Sequence, residues 1–210
     1  MRRLVFCVLM MTLLLTACGG KTGGNEAEEL ALAIRTEFLA ADSCSGTAAV
    51  TADYGQRVYR YELDFTANQE ETVLTLTAPE TVAGLTARLP AEKDSVLEYD
   101  GAVLETGPLD ESGLTPVSAI PAILNTIREG YLDTCILETM GEGQALRLLS
   151  RDPEAELGTG LETTLWFDPG SHSLLRAEIS QDGFCMIQCE FSDFTKTAPQ
   201  SAESGGAQAG

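Results

Sequence analysis

Short stretches of alternating apolar and polar residues, separated by tight turns, dominate this 210-residue sequence. In residues 57–67, the side chains of Tyr59, Tyr61, Leu63 and Phe65 fall on one face and polar side chains fall on the other. A period of two residues predicts a strand with one buried face. Turns this short join antiparallel neighbours, because parallel strands need long crossover connections. The pattern therefore excludes a parallel α/β sheet.

The same pattern recurs along most of the chain and predicts ten or eleven strands. The predicted strands are residues 47–54, 57–67, 71–78, 83–89, 95–99, 102–105, 134–140, 145–150, 161–168, 173–180 and 184–194. Asp100 and Gly101 predict a type I′ hairpin turn, which needs positive φ at both central residues. The strands group as six before and five after a longer connecting segment.

Two segments follow a helical period instead. Residues 26–41 place Ala27, Leu30, Ile34 and Phe38 on one side of a predicted helix. A second predicted helix begins at Ser118 as N-cap, has Pro121 in its first turn, carries an apolar stripe from Ile120 to Ile127 and stops at Gly130. The fold class is therefore α+β and mostly β: one large curved antiparallel sheet, a half-open barrel, with both helices on its concave face.

The first seventeen residues predict a lipoprotein signal peptide. Arg2 and Arg3 precede an apolar run over residues 4–15, which is too short to span a bilayer. The run ends in Leu15-Thr16-Ala17-Cys18-Gly19, which resembles the bacterial lipobox, so Cys18 is the predicted site of lipidation by fatty acyl groups such as palmitate. We expect the mature chain to be anchored by this lipid on the extracytoplasmic face of a cell membrane.

Composition divides the remaining chain into three parts. Residues 18–25 are Gly-rich and predict a flexible tether, residues 26–196 hold the folded domain, and residues 197–210 predict a disordered tail. The formal net charge of −19 excludes binding to nucleic acid, because that relies on basic side chains.

Several short sequence segments, taken in their order along the chain, resemble the LolA-like superfamily of bacterial lipoprotein carriers. They are Ala78-Pro79-Glu80 with Gly84-Leu85-Thr86-Ala87, Tyr99-Asp100-Gly101, Trp166-Phe167-Asp168, Leu175-Arg176-Ala177-Glu178-Ile179 and Phe191-Ser192-Asp193-Phe194. The resemblance implies a half-open barrel whose apolar concave face holds acyl chains or another protein, without catalysis. Lipid-anchored relatives include the clostridial germination lipoprotein, which pairs with a cortex-modifying amidase.

A set of apolar residues on the predicted concave face forms the candidate ligand site. These are Tyr59, Tyr61, Leu63, Phe65, Leu74, Leu76, Leu85, Leu89, Leu146 and Leu148. They would line an acyl-binding groove if the two helices only partly fill the concavity. The alternative is that they are simply core, since periodicity reports burial and not empty space.

Other candidate chemistry is sparse. Cys44, Cys135, Cys185 and Cys189 predict either disulfides or four buried thiols, and Cys185 cannot bond Cys189 because the two lie about 13 Å apart on one strand. His172, the only histidine, lies in a predicted turn beside Ser171 and forms no triad. We expect no metal and no cofactor, and an enzyme is the least favoured class.

Two principal hypotheses follow for function. The first is a membrane-anchored lipoprotein that binds a lipid or a lipidated protein in its concave face. The second is a protein-interaction module that docks or stabilises a cell-envelope or spore-cortex enzyme, with homodimer formation through exposed strand edges. A hydrolase is a third and less favoured alternative.

Overall fold

The computed structural model describes residues 22–91, 93–108 and 110–198. The predicted signal peptide at residues 1–17, the lipidation site Cys18, the first part of the tether and the tail from residue 199 lie outside the described residues. The described chain contains two helices and eleven strands.

All eleven strands join one antiparallel sheet. They are β1 Ser43–Asp53, β2 Val58–Asn68, β3 Glu71–Ala78, β4 Thr86–Pro90, β5 Ser95–Tyr99, β6 Ala102–Gly107, β7 Leu132–Met140, β8 Gly143–Arg151, β9 Leu161–Phe167, β10 Leu174–Gln181 and β11 Phe184–Thr197. Their spatial order is β6-β5-β4-β3-β2-β1-β11-β10-β9-β8-β7. The sheet is open, with β6 and β7 at its edges, and the predicted α+β, mostly β class is confirmed.

The sheet consists of two meanders that meet at its centre. β1 pairs with β2 on one side and with β11 on the other. Residues 43–52 of β1 carry partners in both neighbours except Gly46, where the register with β11 shifts. The long connection from β6 to β7 contains the second helix. That connection therefore runs from one edge of the sheet to the other.

Both helices pack into the same core. Helix α1, Thr22–Ala40, buries Ala27, Ala31, Ile34 and Phe38. Of the stripe expected from the sequence, Leu30 is half-buried and the other three residues are buried. Helix α2, Pro116–Glu129, buries Ile120, Ile123, Leu124 and Ile127. The two helices touch where Arg35 Nε donates to Ile127 O at 2.9 Å and Arg35 Nη2 donates to Gly130 O at 2.5 Å. We call the sheet face that carries them the inner face.

The helix starts differ from the sequence predictions. Helix α1 begins at Thr22, inside the segment predicted as a tether, although Gly23 and Gly24 have low helix propensity. Helix α2 has Thr115 as N-cap, so the prediction of Ser118 as the cap was wrong. Thr115 and Ser118 instead form a capping box, in which each side chain bonds the backbone of the other. Pro121 lies inside the helix, beyond its first turn.

The predicted type I′ hairpin between β5 and β6 has the backbone it requires. Tyr99 pairs with Ala102, and Asp100 and Gly101 between them have φ of 48° and 79°. Positive φ at both positions is the signature of this turn and suits the right-handed twist of the strands. The turn directs the chain back into β6, the edge strand.

The core consists of the buried side chains of the inner face together with the two helical stripes. Phe38 of α1 is fully buried and its ring contacts Phe167 of β9 and Phe194 of β11 at centroid distances of 5.9 and 5.7 Å. Ring pairs at such distances add to the burial of their area. Helix α1 is therefore anchored over the central strands through its last turns.

Candidate ligand-binding cavity

A cavity of about 770 Å³ lies on the inner face, between α2 and the ends of strands β2 to β5. Its volume falls within the range of about 300 to 1,000 Å³ that is usual for sites of small molecules. Its described walls are the β2–β3 turn, the end of β4 with Ala91, Lys93 and Asp94 after it, and the side of α2 that faces away from its isoleucine stripe. The loop residues Pro108, Asp110 and Glu111 close one side.

Part of the cavity lining is apolar. Leu89 of β4 and Leu124 of α2 are both buried and line the cavity. Pro90, Pro121 and Ala122 also line it. These residues can contact an apolar group of a bound molecule.

Two hydroxyl groups without partners lie in the same part of the inner face. Thr72 lines the cavity, is only 7% exposed, and its hydroxyl has no hydrogen-bond partner among the described residues. It is paired across the sheet with Leu89. Ser95, the first residue of β5, is 2% exposed and its Oγ is also unpartnered within the described chain. A fully enclosed hydroxyl without a partner costs free energy, so the position of Ser95 favours a ligand group or a water molecule.

The ten predicted ligand residues mostly form the core. Leu63, Phe65, Leu74, Leu76, Leu89, Leu146 and Leu148 are all buried. Tyr61 and Leu85 are half-buried, and Tyr59 is 38% exposed. Of the ten, Leu89 alone lines the cavity described above. Most of these ten residues are therefore core residues, which is the alternative that the sequence pattern could not exclude. The cavity touches this set only at Leu89.

Several cavity residues were not predicted as candidates. Ala122 and Asn125 lie on the side of α2 that faces away from its isoleucine stripe, and Lys93 and Asp94 lie in a loop. Two sequence features could have indicated the cavity wall. They are the small and polar side chains on that side of the helix and Pro90 at the end of β4. Neither signal distinguishes a cavity wall from an ordinary solvated surface.

The lone histidine is part of a contact that holds α1. His172 Nδ1 lies 2.6 Å from Glu37 Oε1, and Lys196 Nζ donates to Glu37 Oε2 at 2.6 Å. Lys196 Nζ also donates to His172 O at 3.0 Å. The neighbouring Ser171 hydroxyl donates to Asp168 and not to His172. The cluster joins the end of α1 to the β9–β10 turn and to β11.

The four cysteines of the folded domain are free thiols in the structure. Cys44 faces Ala67 and Lys196 across the sheet, Cys189 faces Val50 and Ala177, and Cys135 faces Leu148. Cys185 is paired with Ser180. No two of the four oppose each other in this register, so neither cross-strand pairing is formed. Burial raises the pKa of all four thiols, which reduces their reactivity.

Metal and membrane-spanning features were also searched for in the described part of the chain. Residues 22–91, 93–108 and 110–198 contain no group of three or more His, Cys, Asp or Glu side chains arranged to hold a metal ion. Neither of the two described helices is long and apolar enough to cross a bilayer.

Comparison with known proteins gives structural matches only. No family profile matches the sequence, and no curated protein matches it. The chain is similar to a putative outer membrane lipoprotein-sorting protein domain from Vibrio parahaemolyticus, with 10% identity, a TM-score of 0.48, and coverage of 85% of this chain and 95% of the other. It is similar to LprF from Mycobacterium bovis, with 14% identity, a TM-score of 0.48, and coverage of 85% and 96%.

A third similar structure is a LolA superfamily protein from Nitrosomonas europaea, with 14% identity, a TM-score of 0.46, and coverage of 83% of this chain and 94% of the other. Matches at these scores say nothing about the ligand or the partner. The chain's own architecture, an open eleven-stranded antiparallel sheet with two helices, is the LolA-like architecture that the sequence resemblance implied.

The Glu37 contact predicts a pH-dependent contribution to stability. Burial opposes ionisation of Glu37, but hydrogen bonds from Lys196 and His172 outweigh it, so its pKa is lowered from the usual 4.5. A lowered folded-state pKa stabilises the protein above the unfolded value and ceases to do so as the pH falls through the folded value. We expect Glu37→Gln to lower the urea midpoint at about pH 7, and to lower it less at about pH 3, because the effect declines as the pH falls below 4.5.

Glu142→Gln, in the exposed β7–β8 turn, is the control for loss of one surface carboxylate. It should leave the urea midpoint unchanged at both pH values. An equal effect of Glu37→Gln at both pH values would contradict the assigned role of the ionised carboxylate.

Proposed function

We propose that this chain is a membrane-anchored extracytoplasmic lipoprotein that binds a hydrophobic ligand in the cavity beside α2. The ligand is a lipid or the acyl part of a lipidated protein. The observation that carries the proposal is the cavity of about 770 Å³, whose lining includes the apolar side chains of Leu89 and Leu124. A binding role without catalysis fits the position of His172, which contacts Glu37 and lies outside the cavity.

The anchoring part of the proposal rests on Cys18 and on where α1 begins. Thr22, the first residue of α1, follows Cys18 by four positions. A fully extended chain spans at most about 3.6 Å per residue, so the lipidated residue would lie within about 14 Å of the helix start. The domain would therefore sit close to the lipid surface, with α1 as its point of attachment.

The ligand-binding proposal predicts that filling the cavity abolishes binding. Asn125 is exposed on α2 and lines the cavity, so Asn125→Trp should place an indole in the opening with little effect on the core. We expect the mature chain carrying Cys18→Ala, which lacks an acyl group of its own, to bind dodecyl maltoside below its micelle concentration. Adding Asn125→Trp should weaken that binding by about tenfold or more, measured by titration calorimetry.

Ala33→Trp provides the matched control. Ala33 is exposed on α1 and does not line the cavity, so its replacement adds the same side chain elsewhere. Equal binding by the Asn125→Trp and Ala33→Trp variants would place the ligand outside this cavity. Native mass spectrometry of protein purified without detergent should in addition show a retained ligand on the unsubstituted chain.

The anchoring proposal predicts a single acylated cysteine. Cells fed an alkyne-labelled fatty acid should incorporate the label into the protein, and Cys18→Ala should abolish it and deplete the protein from the membrane fraction. Cys7→Ala removes a cysteine from the predicted signal peptide and should change neither readout. Label retained in the Cys18→Ala variant would overturn the assignment.

A second candidate function, protein docking, is favoured by the exposed edge of the sheet. Strand β6 is paired on one side only, and its Val103 and Leu104 are 67% and 62% exposed. Tyr99, at the end of the neighbouring strand, is exposed as well. An unpaired edge with apolar side chains is suited to β-strand addition by a second copy or by an envelope protein.

This second candidate predicts that a charge on the edge strand prevents association. Val103→Lys should prevent dimer formation, measured by analytical ultracentrifugation of detergent-free protein. It should also prevent the binding of a co-purifying partner, measured by pull-down from membranes. Asn125→Trp should leave the same association intact. A monomeric unsubstituted protein with no co-purifying partner would remove docking through β6 from consideration.

A further inference from the structure

Carboxylates predominate around the opening of the cavity. Five acidic residues line it: Glu71, Asp94, Asp110, Glu111 and Glu129. Glu71 is half-buried and its Oε2 lies 3.3 Å from Arg88 Nη1, so its charge is compensated. The other four are exposed, and none of them takes part in an ion pair among the described residues. The rim of the cavity is therefore negatively charged.

Two cations line the same cavity, but they do not balance these charges. Arg128 is half-buried and its Nε donates to Phe38 O, 3.5 Å away at the end of α1. This bond to a neutral carbonyl leaves the positive charge of Arg128 in the cavity lining, although Arg128 forms no ion pair with a rim carboxylate among the described residues. Lys93 is exposed in the β4–β5 turn beside Asp94. Four carboxylates without an ion pair therefore face two cations, Lys93 and Arg128, and the lining keeps a net negative charge.

The interior of the cavity supplies an independent indication of a ligand. Thr72 lines it, is more than nine-tenths buried and has no hydrogen-bond partner in the described chain. It lies directly across the sheet from Leu89, which also lines the cavity. A bound molecule would then meet an apolar surface with one free hydroxyl inside, and carboxylates at the mouth.

We propose that the preferred ligand of this cavity is an amphiphile with a cationic head group, whose apolar chain lies on Leu89 and Leu124 and whose head lies at the carboxylate rim. The inference rests on the proposed function and adds the chemical class of the ligand. Opposite charges attract across the partly desolvated rim, and an anionic head, such as a free fatty acid or a phosphate monoester, meets repulsion there. Rim charges also raise the association rate of cationic ligands at low ionic strength.

The experiment compares amphiphiles that share one chain and differ in head group. Dodecyltrimethylammonium, dodecyl maltoside and dodecyl sulfate are titrated below their micelle concentrations into the full mature chain carrying Cys18→Ala, at low and at high salt. We expect the cationic amphiphile to bind about tenfold more tightly than the anionic one at low salt, and this ratio to shrink at high salt because added ions screen exposed charges.

Variants separate the rim from the overall negative charge of the protein. Asp94→Asn, Glu111→Gln and Glu129→Gln together neutralise three rim carboxylates and should bring the ratio of cationic to anionic affinity to within about twofold. Glu142→Gln, Glu154→Gln and Glu156→Gln together remove the same charge from loops that do not line the cavity, and should preserve the ratio.

The outcomes distinguish this inference from the proposed function. If dodecyl maltoside binds but the cationic amphiphile has no advantage, or if the control triple variant lowers the ratio as much as the rim variant does, the head-group inference is overturned alone. If none of the three amphiphiles binds, the proposed function fails and the inference fails with it. Retained preference in the rim variant would also overturn the assignment to these carboxylates.

Discussion

The width of the apolar inner face determines most of the architecture. Eleven strands about 4.8 Å apart make a sheet roughly 50 Å wide, whereas a helix with its side chains is about 10 to 12 Å across. Helix α1 covers β7 and β8 and reaches the centre through Phe38, and α2 lies near β1. Two helices cannot cover the whole face. The part of the inner face that the helices leave uncovered next to α2 is the cavity. At the edge of the sheet, strand β6 is left exposed.

The regular parts of this architecture could be predicted from local sequence because they depend on local patterns. Alternation in residues 57–67 predicts β2, observed at Val58–Asn68, and Asp100-Gly101 predicts the turn before β6. The start of α1 could not be predicted, because Gly23 and Gly24 oppose a helix that nevertheless begins at Thr22. The cap of α2 was misassigned because both Thr115 and Ser118 carry a hydroxyl, and Pro116 at the first helical position was the better indicator.

The candidate site was harder to predict than the fold for a physical reason. Leu63 and Leu89 follow the same alternation, yet one is enclosed by the core and the other lines the cavity. The difference depends on which part of the inner face a helix covers, and that depends on contacts distant in sequence, such as Arg35 to Ile127. The polar rim comes from loops, where charged residues are common and their number alone carries no information about a site.

The central position of β11 has a consequence for how such a chain reaches its native state. In the described part of the chain, the two meanders meet where this last strand, already paired with β10, also pairs with β1. Strand β1 therefore keeps an unpaired edge until almost the whole polypeptide has emerged, and contacts between residues so far apart in sequence form slowly. A chain exported from its N-terminus would thus complete its sheet only after β11 has been translocated. Loss of the last three residues of β11 would remove the partners of Ser43, Cys44 and Ser45 in β1.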